Sequence, residues 1–375
     1  MSPSKPAGHS ARAARTGWVE VLRARRPRRA AAAPPPVVYR WDLDKTYLKS
    51  DFESLTKMMR VPFERAEDKI DEPGVVALMR ALRASARAEG RRVFVYFVSA
   101  SPPQIGRAIR EKLALDGVEI DGIVFKDQLQ HLVRGRFRFL REQIGFKLAE
   151  LLKARIAAPA GAAEYLFGDD WESDSLCYSI YADVVSGRLD HQALGEILVR
   201  LRIDPARLVE IRALARKVPI EDAVRRIFIN LERRTPPGRF RSFGARLTPT
   251  FNYFQTALVL HEEGMVPLAA VVGVGHSLID RATYTRAQLR NSLDDLVRRG
   301  HLLRDDPSLR RDLEEAGVLP STVAQGTWSQ RLWRRLRRRR PQSARGPAPR
   351  PAVAIDYPKL VDAWLASGGR PGDAS

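Results

Sequence analysis

The feature that most constrains the fold of this chain is a regular alternation of short apolar strands and helical segments between residues 37 and 167. Their β-branched and aromatic content predicts strands at 37–41, 93–98, 122–125 and 164–167. Apolar residues at helical spacing predict helices at 74–88, 102–115 and 143–154. This alternation predicts an α/β fold, a Rossmann-like parallel sheet with helices on both faces.

The pattern changes after residue 190. Val184 and Val185 are a candidate last strand, and from residue 191 to 319 apolar residues keep helical spacing, which predicts a mainly α-helical domain. A short helix carrying Leu360 and Trp364 is expected to dock on the body. We therefore divide the chain into a disordered basic arm (1–36), an α/β domain (37–190), an α-helical domain (191–325), a basic linker or amphipathic segment (326–350), and a C-terminal tail with a short helix (351–375).

Most of the net charge of +20 lies outside the predicted domains. Residues 1–36 carry +7 and residues 326–350 carry +9, in segments rich in Pro, Ala and Arg that cannot form a core. Such segments bind phosphate on an anionic membrane or on nucleic acid, or are solvated tails without a dedicated partner. In residues 328–336, tryptophans and leucines share one helical face among arginines, which is typical of a helix lying on an anionic membrane. A short helix that docks on the body through its tryptophans explains the same pattern.

Cysteine usage and the length of apolar runs limit the class of protein. The single cysteine, Cys177, excludes an internal disulfide framework, and no Cys/His spacing resembles a zinc site. Residues 1–36 lack the apolar core of a secretory signal, and no apolar run reaches membrane-spanning length. We expect a cytoplasmic protein that is soluble or peripheral at the membrane.

Polar side chains follow the first predicted strand, where reactive groups gather in a parallel sheet. Asp42, Asp44 and Thr46 alternate along the chain, so their side chains are expected to project to one side. Two carboxylates this close repel each other unless a cation joins them or one takes up a proton. Both arrangements suit phosphoryl transfer, in which Asp42 attacks phosphorus, Asp44 protonates the departing oxygen and Mg²⁺ offsets negative charge. An ordinary Asx-rich turn is the alternative.

Ser99 and Ser101 follow the second strand, and Lys147 is predicted near the start of its helix. A hydroxyl and backbone amides at this place can hold a phosphoryl oxygen, although a serine there is often only a helix cap. A lysine near a helix start is unfavourable for the helix dipole, which indicates that its ammonium reaches elsewhere. In a pocket it would stabilise charge on the transferring phosphoryl group, whereas the simpler alternative is a solvated lysine.

An acidic turn follows the fourth strand. Gly168 permits a tight exit, Asp169 or Asp170 can reach a metal ion at the strand end, and Asp174 can support it from one helical turn away. A turn that only caps a helix explains one or two of these carboxylates. The sequence therefore predicts a metal site at this edge of the sheet.

Four groups of residues occur in this order along the chain: Asp42, Asp44 and Thr46; then Ser99; then Lys147; then Gly168 to Asp174. Together they resemble the four motifs of the haloacid-dehalogenase superfamily of aspartate-nucleophile phosphohydrolases, over residues 37 to 190. The resemblance implies a haloacid-dehalogenase-like phosphatase domain that uses Mg²⁺. It also implies that Asp42 is the nucleophile and a metal ligand, and that Asp44 is the general acid and then the base, with its main-chain carbonyl on the metal. Thr46 and Ser99 would orient the phosphoryl group, and Lys147 would stabilise its charge. Asp169 would bind the metal, with support from Asp170 or Asp174.

Within that superfamily, residues 95–102 are similar to the Tyr-Val-Ser-Asn-Ser-Pro stretch of the actin-patch type of phosphatidate phosphatase catalytic domain. Lys45 and Ala100 depart from that pattern, where the family favours an acid and an Asn. The expected activity is Mg²⁺-dependent hydrolysis of a phosphomonoester through an aspartyl-phosphate, on a phospholipid such as phosphatidate. The alternatives are a polynucleotide-end phosphatase and a non-catalytic binding module on the same fold.

Overall fold

The centre of the molecule is a six-stranded, all-parallel sheet. The computed structural model describes residues 34–48, 71–99, 103–126, 136–171, 173–302, 306–321 and 354–367. The strands are β1 (Val37–Asp42), β2 (Val93–Ser99), β3 (Gly122–Phe125), β4 (Ala163–Asp169), β5 (Val224–Asn230) and β6 (Leu247–Thr250). Their order in the sheet is β3-β2-β1-β4-β5-β6, and every neighbouring pair is parallel.

Helices cover both faces of this sheet. They are α1 (Val75–Ala88), α2 (Gly106–Leu115), α3 (Arg136–Ala157), α4 (Asp174–Val185), α5 (His191–Arg200), α6 (Pro205–Ala215), α7 (Tyr253–Glu262), α8 (Leu268–Asp280), α9 (Arg286–Arg298), α10 (Pro307–Glu315) and α11 (Tyr357–Ala366). One apolar core contains residues of α1, α2 and α7 to α10, and the other contains residues of α3 to α6 and α11. The predicted α/β fold, Rossmann-like with helices on both faces, is confirmed.

The range predicted to be helical, 191–325, also contributes two strands to the sheet. β5 pairs with β4 and β6 pairs with β5, so the sheet continues past residue 190. The Ile-Phe-Ile run of β5 is a short apolar segment of the kind that periodicity alone cannot assign. The predicted strand at Val184 and Val185 is wrong, because both residues end helix α4. That helix is buried on every side, so its sequence lacks the amphipathic pattern that would have marked it as a helix.

The strand order reverses between β1 and β4. From β1 the chain moves to β2 and β3 on one side of the sheet, and it then returns to place β4 on the other side of β1. Ligands of open α/β sheets bind at such a point, outside the carboxyl ends of the strands. Asp42 ends β1 and Asp169 ends β4, so both carboxylates lie at this position.

Below the carboxyl end of the sheet, a buried ion cluster joins β1, β4, α3 and α4. The Glu164 carboxylate accepts hydrogen bonds from Arg40 at 2.9 and 3.1 Å, from Arg155 at 3.3 Å and from the Tyr181 hydroxyl at 2.7 Å. Burial alone would raise the pKa of Glu164, but the Arg40 charge and the hydrogen bonds from Arg40 and Tyr181 outweigh it, so its pKa lies below the ordinary value. Glu164 is therefore ionised in the folded protein at neutral pH.

Glu164→Gln is expected to lower the free energy of unfolding at neutral pH by about 3 kcal/mol, because it leaves the buried Arg40 guanidinium without its carboxylate and removes one of the two carboxylates on Arg155. A carboxyl whose pKa is lowered on folding stabilises the fold above its unfolded pKa, near 4.5. That stabilisation disappears as the pH falls below 4.5 and through the folded pKa. Urea unfolding between pH 7 and 3 should therefore show a smaller difference between wild type and variant as the pH falls, and a constant difference would contradict this account.

The C-terminal helix predicted in residues 351–375 is present as α11, with Leu360, Val361 and Trp364 buried against the body. Most of the basic arm (1–36) and of the basic segment (326–350) lies outside the described residues. No helix among the described residues combines the length and the apolar character needed to cross a membrane.

Candidate functional site

Strand β1 presents alternate side chains to the two faces of the sheet, and this alternation sets the direction of Asp42. Trp41 stacks on Phe167 of β4, with ring centroids 3.8 Å apart, in the core beneath α1 and α7. Arg40 and Asp42 therefore face α3 and α4. Asp42 is 1% exposed, so burial and strand geometry together fix its carboxylate.

A tight turn follows β1 and carries the next two predicted residues. The backbone N–H groups of Tyr47 and Leu48 donate to the Leu43 carbonyl at 3.0 and 2.9 Å, and Lys45 N–H donates to the Leu48 carbonyl at 2.9 Å. The Tyr253 hydroxyl of α7 donates to the Thr46 carbonyl. These bonds fix Asp44 and Thr46 directly beyond the strand end.

The Lys147 ammonium joins two acids that are distant in sequence. Its Nζ lies 2.8 Å from Oδ1 of Asp42 and 2.6 Å from Oδ1 of Asp174, and all three side chains are buried. Lys147 lies near the middle of α3, so the prediction that it lies near the start of a helix is wrong. Residues 136–142 are also helical, so Lys147 lies about three turns from the described start of the helix. The argument that a lysine near a helix start is unfavourable for the helix dipole therefore does not apply to it.

Asp42, Asp169 and Asp174 form a cluster of carboxylates. Each offers one oxygen, and these oxygens lie within 4.8 Å of one another, so the three side chains could hold a metal ion. All three are buried. The structure thus brings together acids from the end of β1, the end of β4 and the start of α4.

Gly168 permits the close approach of Asp174 to the end of β4. A Cβ atom at residue 168 would lie 2.7 Å from the Asp174 Cβ, which is closer than packed carbon atoms come. The Asp169 N–H donates to Oδ2 of Asp174 at 3.4 Å, so the strand end and the helix start are bonded to each other. A side chain at residue 168 would displace Asp174 from Lys147.

Ser99, Asp44 and Thr46 lie beside this cluster. The Ser99 hydroxyl, at the end of β2, donates to Oδ2 of Asp44 at 3.3 Å, which connects the second motif to the first. The Thr46 hydroxyl is buried and has no hydrogen-bond partner within the described part of the chain. A buried hydroxyl without a partner is costly, and a ligand or a water molecule can supply that partner. Ser101 lies outside the described residues.

Asp170, which the sequence also offers as a metal ligand, is not part of the carboxylate cluster. Its Oδ1 accepts the Arg233 N–H at 2.9 Å and its Oδ2 accepts the Thr235 N–H at 3.1 Å. The carboxylate is fully buried and holds the loop that follows β5. Of the two acids that remained open as support for Asp169, the geometry favours Asp174.

Cys177 and Tyr178 lie next to the cluster on α4. Burial, together with the charge of Asp174, raises the pKa of the Cys177 thiol and of the Tyr178 phenol. Both groups are therefore neutral near pH 7. A thiolate or phenolate nucleophile is therefore disfavoured here.

Three residues that contact this region were not selected as site residues by the sequence motifs. Tyr253 comes from α7, more than 200 residues after Thr46, and Arg233 comes from the loop after β5. Trp171 lies within the acidic turn, between Asp170 and Asp174, and its N–H donates to Oδ1 of Asp169 at 2.6 Å. The rule that functional side chains follow strands would have selected Arg233 if β5 had been recognised as a strand.

Comparisons with known proteins do not identify the chain. No family model matches it, and no curated protein matches it.

Proposed function

We propose that the protein is a Mg²⁺-dependent phosphomonoester hydrolase that acts through an aspartyl-phosphate on Asp42. The observation that carries the proposal is the convergence of Asp42, Lys147, Asp169 and Asp174 at the point where the strand order reverses. The resemblance of the four motifs to the haloacid-dehalogenase superfamily points to the same chemistry. A carboxylate nucleophile, a buried ammonium and a metal-binding cluster are the parts that phosphoryl transfer needs.

In the first step, an Asp42 carboxylate oxygen attacks phosphorus and the bond between phosphorus and the substrate oxygen breaks. Asp44 donates a proton to that oxygen, and the alcohol leaves. In the second step, Asp44 takes a proton from water, the water oxygen attacks phosphorus, and the bond to Asp42 breaks. Inorganic phosphate leaves and both aspartates regain their initial state.

Lys147 holds Asp42 in position for this attack, because its ammonium contacts both Asp42 and Asp174. An ammonium at this distance also stabilises the charge that develops on the phosphoryl oxygens. The Thr46 hydroxyl, which has no hydrogen-bond partner among the described residues, and the Ser99 hydroxyl, which also contacts Asp44, are donors for a phosphoryl oxygen.

The cluster fits a hard divalent cation. Carboxylate oxygens are ligands that Mg²⁺ prefers, and three of them from separate elements lie within 4.8 Å of one another. Asp42, Asp169 and Asp174 would hold the ion. When bound, Mg²⁺ would offset the negative charge of the carboxylates and of the phosphoryl group.

For the substrate we propose a phospholipid such as phosphatidate, with a polynucleotide end as the alternative. The support is the tryptophan and arginine pattern of residues 328–336, which suits an anionic membrane surface. The same arginines suit a polynucleotide, because both partners are polyanions. Co-sedimentation with liposomes or with oligonucleotides separates the two.

The test is release of inorganic phosphate from a panel of phosphomonoesters: an aryl phosphate, phosphatidate in vesicles, a 5′-phosphorylated oligonucleotide, a nucleotide and a sugar phosphate. We expect release from at least one of them with Mg²⁺ and none with a chelator. Titration calorimetry with Mg²⁺ alone measures the ion independently of turnover, and Asp169→Asn should weaken that binding. Absence of Mg²⁺-dependent release across the panel, with full-length protein that is folded, would leave the binding module as the better reading.

A further inference from the structure

Five neighbouring strands each end in a polar residue, at the edge of the sheet that carries the carboxylate cluster. Across the sheet these last residues are Ser99 of β2, Asp42 of β1, Asp169 of β4, Asn230 of β5 and Thr250 of β6. Four of their side chains have defined partners. The Ser99 hydroxyl hydrogen-bonds to Asp44, Asp42 and Asp169 belong to the carboxylate cluster, and the Thr250 hydroxyl hydrogen-bonds to the Thr256 hydroxyl at 3.1 Å. The side chain of Asn230 is the fifth.

The backbone holds Asn230 next to Asp169. In the register of β4 and β5, these two residues are partners. The pairing continues on both sides of Asn230, because the Asp170 N–H donates to the Asn230 carbonyl at 3.1 Å and the Leu231 N–H donates to the Thr250 carbonyl at 2.8 Å. Neighbouring strands are about 4.8 Å apart, so one strand spacing separates Asn230 from a candidate metal ligand.

Asn230 and Asp169 also share one face of the sheet. Two residues earlier on the same strands, Phe167 and Phe228 are register partners, and their rings stack with centroids 5.2 Å apart. Side chains two residues apart on a strand lie on the same face, so Asp169 and Asn230 both project on the face of those rings. The Asn230 side chain is therefore directed beside that of Asp169.

The Asn230 side chain is buried, and within the described part of the chain its amide makes no hydrogen bond. Asn230 is 7% exposed. An amide offers one acceptor oxygen and two N–H donors, and buried polar groups of this kind are almost always partnered. The fold therefore places a polar group beside Asp169 without using it for its own structure, and that group is available to a ligand of the carboxylate cluster.

We infer that the side-chain oxygen of Asn230 is a further ligand of the divalent cation held by Asp42, Asp169 and Asp174. This rests on the proposed function, because it adds a ligand to the cation proposed there. Mg²⁺ requires octahedral coordination by oxygen, which one oxygen from each of three carboxylates does not complete. An amide oxygen adds a ligand without adding negative charge to carboxylates that already repel one another.

The test is titration calorimetry of the full chain with Mg²⁺ alone, which measures the ion without turnover. Asn230→Leu removes the oxygen from a side chain of similar size, and it should weaken Mg²⁺ binding about tenfold. Asn230→Asp keeps an oxygen at the same place, so it should bind Mg²⁺ at least as tightly as the wild type. Asn291→Leu makes the first change at an exposed position of α9, and it should leave Mg²⁺ binding unchanged.

Urea unfolding in the presence of a chelator separates ligation from a structural role of Asn230. If Asn230→Leu lowers the free energy of unfolding but the folded variant binds Mg²⁺ as the wild type does, the inference is overturned. It is also overturned if the variant keeps its affinity for Mg²⁺ and binds inorganic phosphate more weakly, because the amide then serves the phosphoryl group. Equal losses of Mg²⁺ affinity in Asn230→Leu and Asn230→Asp would overturn it as well, since an oxygen at this place would then have no effect.

Asp169→Asn separates a failure of this inference from a failure of the proposed function. If Asp169→Asn weakens Mg²⁺ binding and Asn230→Leu does not, the cluster holds the ion and only the role of Asn230 is wrong. If both variants bind Mg²⁺ more weakly but the wild type releases no phosphate from the phosphomonoester panel, Asn230 is a ligand and the hydrolase proposal is wrong. A wild-type protein that binds no Mg²⁺ would overturn both.

Discussion

Asp42→Asn should lower phosphate release by at least about 10³-fold on any substrate that the wild type hydrolyses, because the amide cannot form the aspartyl-phosphate. The substitution keeps the shape of the side chain, so the loss reports on chemistry more than on folding. The measurement is kcat with saturating substrate and Mg²⁺, together with acid-stable labelling of the protein by a phosphorus-labelled substrate, which should disappear in the variant.

Asp190→Asn is the matched control for that change. Asp190 accepts the Ala193 N–H at 2.8 Å as the N-cap of α5, and Asn serves equally well at such a position. We expect unchanged kcat in this variant. Undiminished activity in Asp42→Asn would remove Asp42 as the nucleophile and with it the proposed mechanism.

Lys147→Met should lower the free energy of unfolding by about 3–5 kcal/mol in the absence of divalent metal, because two buried carboxylates lose the ammonium between them. Methionine has a side chain of similar length, so little of the loss comes from an empty cavity. If the carboxylate cluster binds Mg²⁺, adding the ion should restore part of the stability. Urea unfolding with a chelator and with Mg²⁺ gives both quantities.

Lys153→Met is the control on the same helix. Lys153 pairs with Glu150 and Glu210 at 2.8 Å, but its side chain is 44% exposed. Exposed pairs contribute at most about 1 kcal/mol, so this variant should remain near wild type. Equal losses in the two variants would mean that the buried position of Lys147 has no special importance.

The site residues that could be predicted from the sequence are those that stand at the end of a segment with a recognisable strand pattern. The strands before Asp42, Ser99 and Asp169 are short β-branched or aromatic runs, and the parallel arrangement brings their ends to one edge. Asp42 and Asp169 are close to each other for that reason alone. The metal, the substrate and the reaction remain predictions.

The residues that could not be predicted depend on tertiary contacts. Nothing local to Asp170 indicates that its two oxygens bind a loop more than 60 residues later, and nothing local to Tyr253 indicates its bond to Thr46. Strand β5 was missed because a short apolar run among helices carries no distinguishing period. The position of Lys147 within α3 was wrong because the predicted helix began at residue 143, whereas residues 136–142 are helical as well.

Helix α3 supplies both Lys147, which contacts Asp42, and Arg155, which contacts Glu164 beside Arg40. Eight residues separate the two cations, so about 12 Å of helical rise sets the distance between them. Insertion of a single residue between them would rotate one cation by about 100° relative to the other and break one of the two contacts. The length of this part of the helix is therefore as tightly constrained as the identity of the residues that it carries.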